Sequence, residues 1–160
     1  MILPFDQGGG PIDSRGQILS YAILAPSPLN IQPWSVLCKD SCRIDLYLDK
    51  RRLLSLMDPG SRQACISCGT FIENLDIAAR EAGLRAEISL FPSSWPVGDI
   101  DPGQPVAEIV LVPDLGVVSD PLFAWLETRH TNRSIYTNDP IPSDIISILA
   151  DAANQPFTTL

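Results

Sequence analysis

The sequence predicts an α+β domain, and three observations carry that expectation. The stretch Ser61 to Ala82 places Ala64, Ile66, Cys68, Phe71, Ile72, Leu75, Ala78 and Ala79 almost all the way round a helix, the pattern of a helix that is central rather than superficial. Around it stand four short strand patterns, Trp34 to Cys38, Arg43 to Leu48, Arg85 to Leu90 and Val106 to Val112, the first two joined by the hairpin-like turn Lys39-Asp40-Ser41-Cys42. The composition, 45% hydrophobic and 19% charged over 160 residues, is that of one ordinary compact domain. A chain of this size buries roughly 70% of its unfolded surface.

Taken in order, Met1 to Pro11 is a Gly-rich lead without periodicity, expected to be poorly ordered or to lie across a neighbour. Ile18, Leu19, Ala22 and Ile23 then recur at helical spacing, with Asp13 or Ser14 available as a cap, so Ser14 to Leu24 reads as an amphipathic helix ended by Pro26. In the second strand, Ile44, Leu46 and Leu48 alternate with Arg43, Asp45 and Tyr47, which predicts one buried face and one partly wet face. Asp49-Lys50-Arg51-Arg52 is a polar bend, and Asp58 to Arg62 leads into the long helix, which Gly83 closes at its C′ position. Phe91 to Pro105 is rich in Pro, Gly, Ser and Asp and too long for a tight turn. Asp120-Pro121 opens a helix expected to end near Arg129, and Asp144 to Ala153 forms a last amphipathic helix after Pro140 and Pro142.

The stretch Ala25-Pro26-Ser27-Pro28-Leu29-Asn30-Ile31-Gln32-Pro33-Trp34 stands apart, with three prolines between Pro26 and Pro33. Proline fixes φ and removes donors, so Ser27, Asn30 and Gln32 sit on a stiff frame that suits the polar edge of a planar ligand. A rigid helix-to-strand connector, with Trp34 in the core, is the plainer reading of the same residues. The segment resembles the A-P-S-x-x-N-x-Q-P-W signature of the nitroreductase family of flavoproteins, agreeing at seven positions in ten. It departs from the family at Pro28, where a serine is common, so a hydroxyl contact from that place is missing.

A second segment, Arg129-His130-Thr131-Asn132-Arg133, is similar to the motif R-[RH]-[ST]-x-[RK] with which nitroreductase domains open, and Tyr136 with Pro140-Ile141 is similar to its continuation. The last helix repeats the first at an offset of 130, pairing Ile18 with Ile148, Leu19 with Leu149, Ala22 with Ala152 and Pro26 with Pro156. The resemblance therefore extends to fused, pseudo-dimeric members of the Acg type. It implies one nitroreductase-like half over residues 1–127, followed by the opening of a second, truncated half over residues 128–160.

The resemblance implies a nitroreductase-like fold with a mostly antiparallel sheet packed on the central helix. It also implies an FMN-dependent oxidoreductase that takes hydride from NAD(P)H and passes it to nitro- or quinone-like small molecules. The implied cofactor-binding residues are Pro26, Ser27, Asn30 and Gln32 in the first motif and Arg129, His130, Thr131 and Arg133 in the second. Arg129 would hold the FMN phosphate, Thr131 the ribityl chain or ring edge, and Arg133 would sit near N1 and O2. No residue is assigned as catalytic, because hydride moves through flavin without an obligatory protein acid or base. A flavin-binding or storage protein without turnover is the alternative within this class.

The remaining features bound the function. The net charge of −8 argues against nucleic-acid or anionic-membrane partners. There is no apolar run of the roughly 20 residues needed to span a bilayer and no basic, apolar leader at Met1, so a cytoplasmic chain with reduced thiols is expected. The single histidine, His130, excludes a two-histidine metal site. Cys38-x3-Cys42 and Cys65-x2-Cys68 leave a zinc-thiolate interaction module as an alternative of another class, although Cys65 and Cys68 fall within an apolar helix where free thiols behave as small hydrophobes. The apolar residues Ile145, Ile148 and Leu149 of the last helix call for a partner, and a homodimer is expected.

Overall fold

The structure, a computed structural model, describes residues 14–93 and 103–153, without the side chains of the last two. The glycine-rich lead, much of the Phe91 to Pro105 loop and Pro156 of the repeat lie outside the described residues. Two compact units are present, one running to His130 and the other from Thr131.

The first unit is an α+β layer structure. Helix α1 spans Ser14–Ala22, strands β1 and β2 span Trp34–Cys38 and Arg43–Leu48, helix α2 spans Arg62–Glu81, and strands β3 and β4 span Leu84–Leu90 and Ala107–Pro113. The four strands form one antiparallel sheet in the order β1-β2-β4-β3. The register places Ile44 of β2 and Ile88 of β3 on either side of Ile109 of β4. Because side chains alternate across a sheet, Ile44, Leu46, Leu48, Ala107, Ile109 and Leu111 share the buried face. Helix α2 covers that face with Cys68, Phe71, Ile72, Leu75, Ala78 and Ala79, and α1 seals α2 from the other side through Ile18 and Ala22.

Both ends of α2 are fixed by local chemistry. Ser61, in the left-handed region at φ 51°, gives no side-chain cap; instead buried Asp58 accepts the Ala64 N–H at 3.1 Å, satisfying one of the orphan donors of the first turn. Gly83, at φ +71°, ends the helix at little steric cost. The helix is less uniformly covered than its composition suggests, since Ile66 is 52% exposed.

Three expectations are corrected in detail. Helix α1 ends at Ala22, two residues early, because the turn through Leu24 prepares for Pro26. Asp45 lies on the face of β2 expected to be wet, yet it is buried: its carboxylate pairs with Lys39 Nζ at 2.7 Å and accepts from the Tyr47 hydroxyl at 3.0 Å. The helix expected from Asp120 to near Arg129 is a 3-10 turn, Pro121–Trp125. Asp120 caps its start, but Leu122 and Trp125 face solvent, leaving too little apolar surface to hold a longer helix.

In the second unit, α3 spans Ser143–Ala153, and Ile145, Ile146, Ile148 and Leu149 are exposed. Among the described residues no helix is long and apolar enough to cross a membrane.

Phe71 is fully buried and packs on Trp34 with ring centroids 5.3 Å apart. Phe71→Ala is expected to cost about 3–5 kcal/mol of stability by chemical denaturation; a cost below about 1 kcal/mol would contradict the central position given to α2.

Candidate functional site

The candidate site grows out of the way α1 ends. The last carbonyls of a helix have no partner within it, and the chain here turns through prolines that offer no N–H to replace them. The turn itself meets part of the need, with Leu24 N–H on Tyr21 O at 3.0 Å and Ala25 N–H on Ala22 O at 3.1 Å, and side chains from distant elements add to Tyr21 O and take up the carbonyls of the turn that follows. Asn74 Nδ2 donates to Tyr21 O at 3.4 Å, and Arg129 Nη2 donates to Leu24 O at 3.2 Å. The Thr70 hydroxyl lies 3.1 Å from Pro26 O and 2.8 Å from Ser67 O, so its one proton is shared between them. A cation is favoured beside the negative end of a helix, which accounts for Arg129 settling there. The guanidinium is thereby held one residue from Ala25-Pro26, 105 residues away in sequence.

Beyond Pro26 the backbone is strained. Leu29, Asn30 and Gln32 all have positive φ, at 49°, 56° and 48°. Each such residue costs about 1–2 kcal/mol, least for Asn, which tolerates this region. A typical hydrogen bond contributes about 0.5–1.5 kcal/mol net, so several are needed to hold the loop. Within the loop, Asn30 N–H donates to Ser27 O at 3.0 Å, Ile31 N–H to Pro28 O at 3.0 Å, and Gln32 N–H to Ser27 Oγ at 2.9 Å. Ser27 Oγ is thus fixed as an acceptor, and its own proton remains to be donated.

The far end of the loop rests on the Asp49–Arg52 bend. Asp49 N–H donates to Pro33 O at 2.9 Å, and Arg52 Nη1 lies 3.5 Å from both Ile31 O and Gln32 O. Hydrogen bonds from the Arg51 side chain hold the Asp49 carboxyl below its usual 3.8. The Asp49 pairing therefore stabilises fully above pH 3.8 and is lost as pH falls through the lower folded value.

Pro26, Ser27 and Pro28 form one wall of an open cleft of ≈ 310 Å³, whose other wall is Gln63, Ile66, Ser67 and Thr70 of α2. That volume is at the small end of ligand sites. Of the residues singled out by sequence, Pro26, Ser27, Asn30 and Gln32 are thus gathered in one loop, with Arg129 at its root. His130 Nδ1 lies 3.0 Å from Thr128 O, a local contact that turns the ring toward its own backbone. Thr131 and Arg133 are exposed residues of the second unit, in a turn where Ser134 N–H donates to Asn132 Oδ1 at 2.8 Å.

Thr70, Asn74, Asp49 and Arg52 complete the surroundings and were not singled out as site residues. Ser67, Thr70 and Asn74 recur at helical spacing within an apolar helix, a polar stripe that was legible but overshadowed by the hydrophobic pattern. The four cysteines are free thiols. Cys38 and Cys42 flank the β1–β2 hairpin, Cys65 and Cys68 stand three residues apart on α2, and among the described residues no three His, Cys, Asp or Glu side chains gather as metal ligands.

No protein-family model matches the sequence. A Mycobacterium tuberculosis protein provisionally named NAD(P)H nitroreductase is 30% identical over 142 residues, which cover 85% of this chain and 38% of that protein. The Acg protein of the same organism, also provisionally named NAD(P)H nitroreductase, is 36% identical over 75 residues, covering 47% of this chain and 22% of its own length. The chain thus spans well under half the length of these relatives. The crystal structure of a nitroreductase family protein from Clostridium difficile superposes with a TM-score of 0.50 at 14% identity, covering 82% of this chain and 88% of that one. The fold is that of the nitroreductases. The nitroreductase likeness in sequence runs through most of the chain, and the mostly antiparallel sheet expected of such a fold is antiparallel throughout the described strands.

Burial pushes the Cys68 thiol up to about 12 and raises that of Cys65, whereas Cys38 is exposed. Alkylation of the native protein at pH 8, followed by mass spectrometry, is expected to modify Cys38 first and leave Cys68 intact. Equal labelling of the two would contradict the burial of α2.

Proposed function

We propose that the chain belongs to the nitroreductase family, in its fused Acg-like branch, and contributes to an FMN-dependent oxidoreductase. In this reading, residues 1–127 form one nitroreductase-like half and 128–160 open a second. The helix repeat at an offset of 130 and the division of the structure after His130 support it.

One observation carries the functional reading: the Arg129 guanidinium is held on Leu24 O, at the root of the Pro26–Gln32 loop. Arg129 and the loop, more than ninety residues apart in sequence, thus meet within the first unit. The donor set suits FMN. Arg129 offers charge to a phosphate dianion, the Ser27 hydroxyl retains a proton to donate, Asn30 and Gln32 offer amides, and Pro26 and Ile66 offer apolar wall. His130 flanks Arg129, and the motif resemblance alone assigns the ribityl chain or ring edge to Thr131 and the pyrimidine side of the ring to Arg133. Bound FMN would supply the hydride relay between NAD(P)H and a small nitro- or quinone-like acceptor. The chain's own residues hold, orient and electrostatically bias that group; none serves as acid or base.

The homodimer belongs to the same reading, with the exposed Ile145, Ile148 and Leu149 of α3 as the surface that seeks cover. Free thiols and the absence of a membrane-crossing helix among the described residues accord with work in the cytoplasm.

The visible spectrum of the purified chain, taken after incubation with FMN and desalting, tests the reading. Retained flavin absorbance is expected, bleached by NAD(P)H under anaerobic conditions, with FMN affinity falling about 10- to 100-fold in Arg129→Ala through loss of a charge-assisted contact. A wild-type chain that retains no flavin, or an Arg129→Ala chain that retains it equally well, would overturn it.

A further inference from the structure

We propose that Arg52, oriented by Asp49, is a positioning residue that sets the left-handed turn at Gln32 and thereby aims Ser27 at whatever binds against the loop. The inference rests on the flavin reading only for the identity of that ligand.

The geometry on which it stands lies outside the signature segment. The bend Asp49–Arg52 touches the loop at three carbonyls: Pro33 O takes the Asp49 N–H at 2.9 Å, and a single nitrogen of Arg52 faces both Ile31 O and Gln32 O at 3.5 Å. Asp49 ties the bend together. Its carboxylate, almost hidden with 9% of the side chain exposed, accepts from Arg51 Nε and Nη2 at 2.9 Å each and from Arg51 N–H at 3.1 Å, and lies 3.4 Å from Arg52 Nε. The two arginines therefore divide the work. Arg51 is 87% exposed in its side chain and saturates Asp49, while Arg52 is drawn by the same carboxylate across to the loop.

The consequence falls on Ser27. Its Oγ is an acceptor because the Gln32 N–H points at it; that N–H shares its peptide plane with Ile31 O, and Gln32 carries the chain on from this plane at an unfavourable φ of 48°. A guanidinium lying against the carbonyls of Ile31 and Gln32 stabilises the peptide orientation that this φ requires. Without it the turn relaxes, Gln32 N–H leaves Ser27 Oγ, and the Ser27 hydroxyl is free to rotate and to turn its lone pair, rather than its proton, toward a ligand. Lysine is a poor substitute, since a point charge on a flexible stem is not held by the carboxylate in one orientation. Lys50, in the same short turn, gives no side-chain hydrogen bond to the loop among the described residues and serves as the control.

The test is residue-resolved amide hydrogen exchange on the full chain, run beside FMN titration followed by flavin fluorescence, for wild type, Arg52→Ala, Arg52→Lys and Lys50→Ala. Exchange at Gln32 and Asp49 is expected to quicken about 5- to 10-fold in Arg52→Ala, the loss of roughly one hydrogen bond. Arg52→Lys should recover it in part, and Lys50→Ala should match wild type. Amides of α2 should be unchanged in all, which excludes general unfolding. FMN affinity should fall in step with exchange. Unchanged exchange at Gln32 in Arg52→Ala would overturn the brace whatever the flavin result. Quickened exchange with undiminished FMN affinity would overturn its role toward the ligand. If the wild type binds no FMN while exchange quickens as expected, the flavin reading fails and the brace stands.

Discussion

The candidate site depends on one constraint, the burial of α2 between the sheet and α1. That burial is driven by apolar area: Phe71, Leu75 and Cys68 are fully enclosed, and each large side chain taken from water contributes about 1.5–3 kcal/mol. Once α2 is placed, the polar residues on its α1 side have fixed positions. Asn74 then meets Tyr21 O near the end of α1 and Thr70 meets Pro26 O, and the loop that follows starts from a defined point. Arg129 completes that termination from the end of the first unit. The backbone strain at Leu29, Asn30 and Gln32 is tolerable only because both ends of the loop are held in this way.

The two strands of the hairpin were readable from sequence to the residue: β1 and β2 begin and end where their apolar patterns do, on either side of the polar turn Lys39 to Cys42. The long helix was readable because Gly83 and the Asp58–Ser61 lead mark its ends. Less was legible where tertiary context decides. Asp45 reads as a wet-face residue, and only the cross-hairpin lysine and the neighbouring tyrosine explain its burial. The stretch after Asp120 carries enough apolar residues for a helix, but the first unit receives only Phe123, which packs on Tyr21, and Leu126, while Leu122 and Trp125 face solvent.

The candidate site was legible in part and for a specific reason. Proline and asparagine declare an unusual loop, since few other residues tolerate its backbone, and the Arg129 segment carries its own pattern. That Arg129 meets the start of the loop is not a property of either segment. It arises from a side chain reaching a carbonyl more than a hundred residues away, which no local periodicity encodes. Arg52 was legible only as the end of a polar bend: in sequence it is one cation in a run of three, and its distinction from Arg51 and Lys50 appears through the carbonyls it faces.

The most direct test is to titrate FMN into the isotope-labelled chain and map the amide shifts by NMR. The largest changes should fall on Ser27, Asn30, Gln32 and Arg129. Changes centred instead on the polar hollow lined by Ser35, Tyr47, Lys50 and Arg51, with the Pro26–Gln32 loop silent, would contradict the placement of the cofactor.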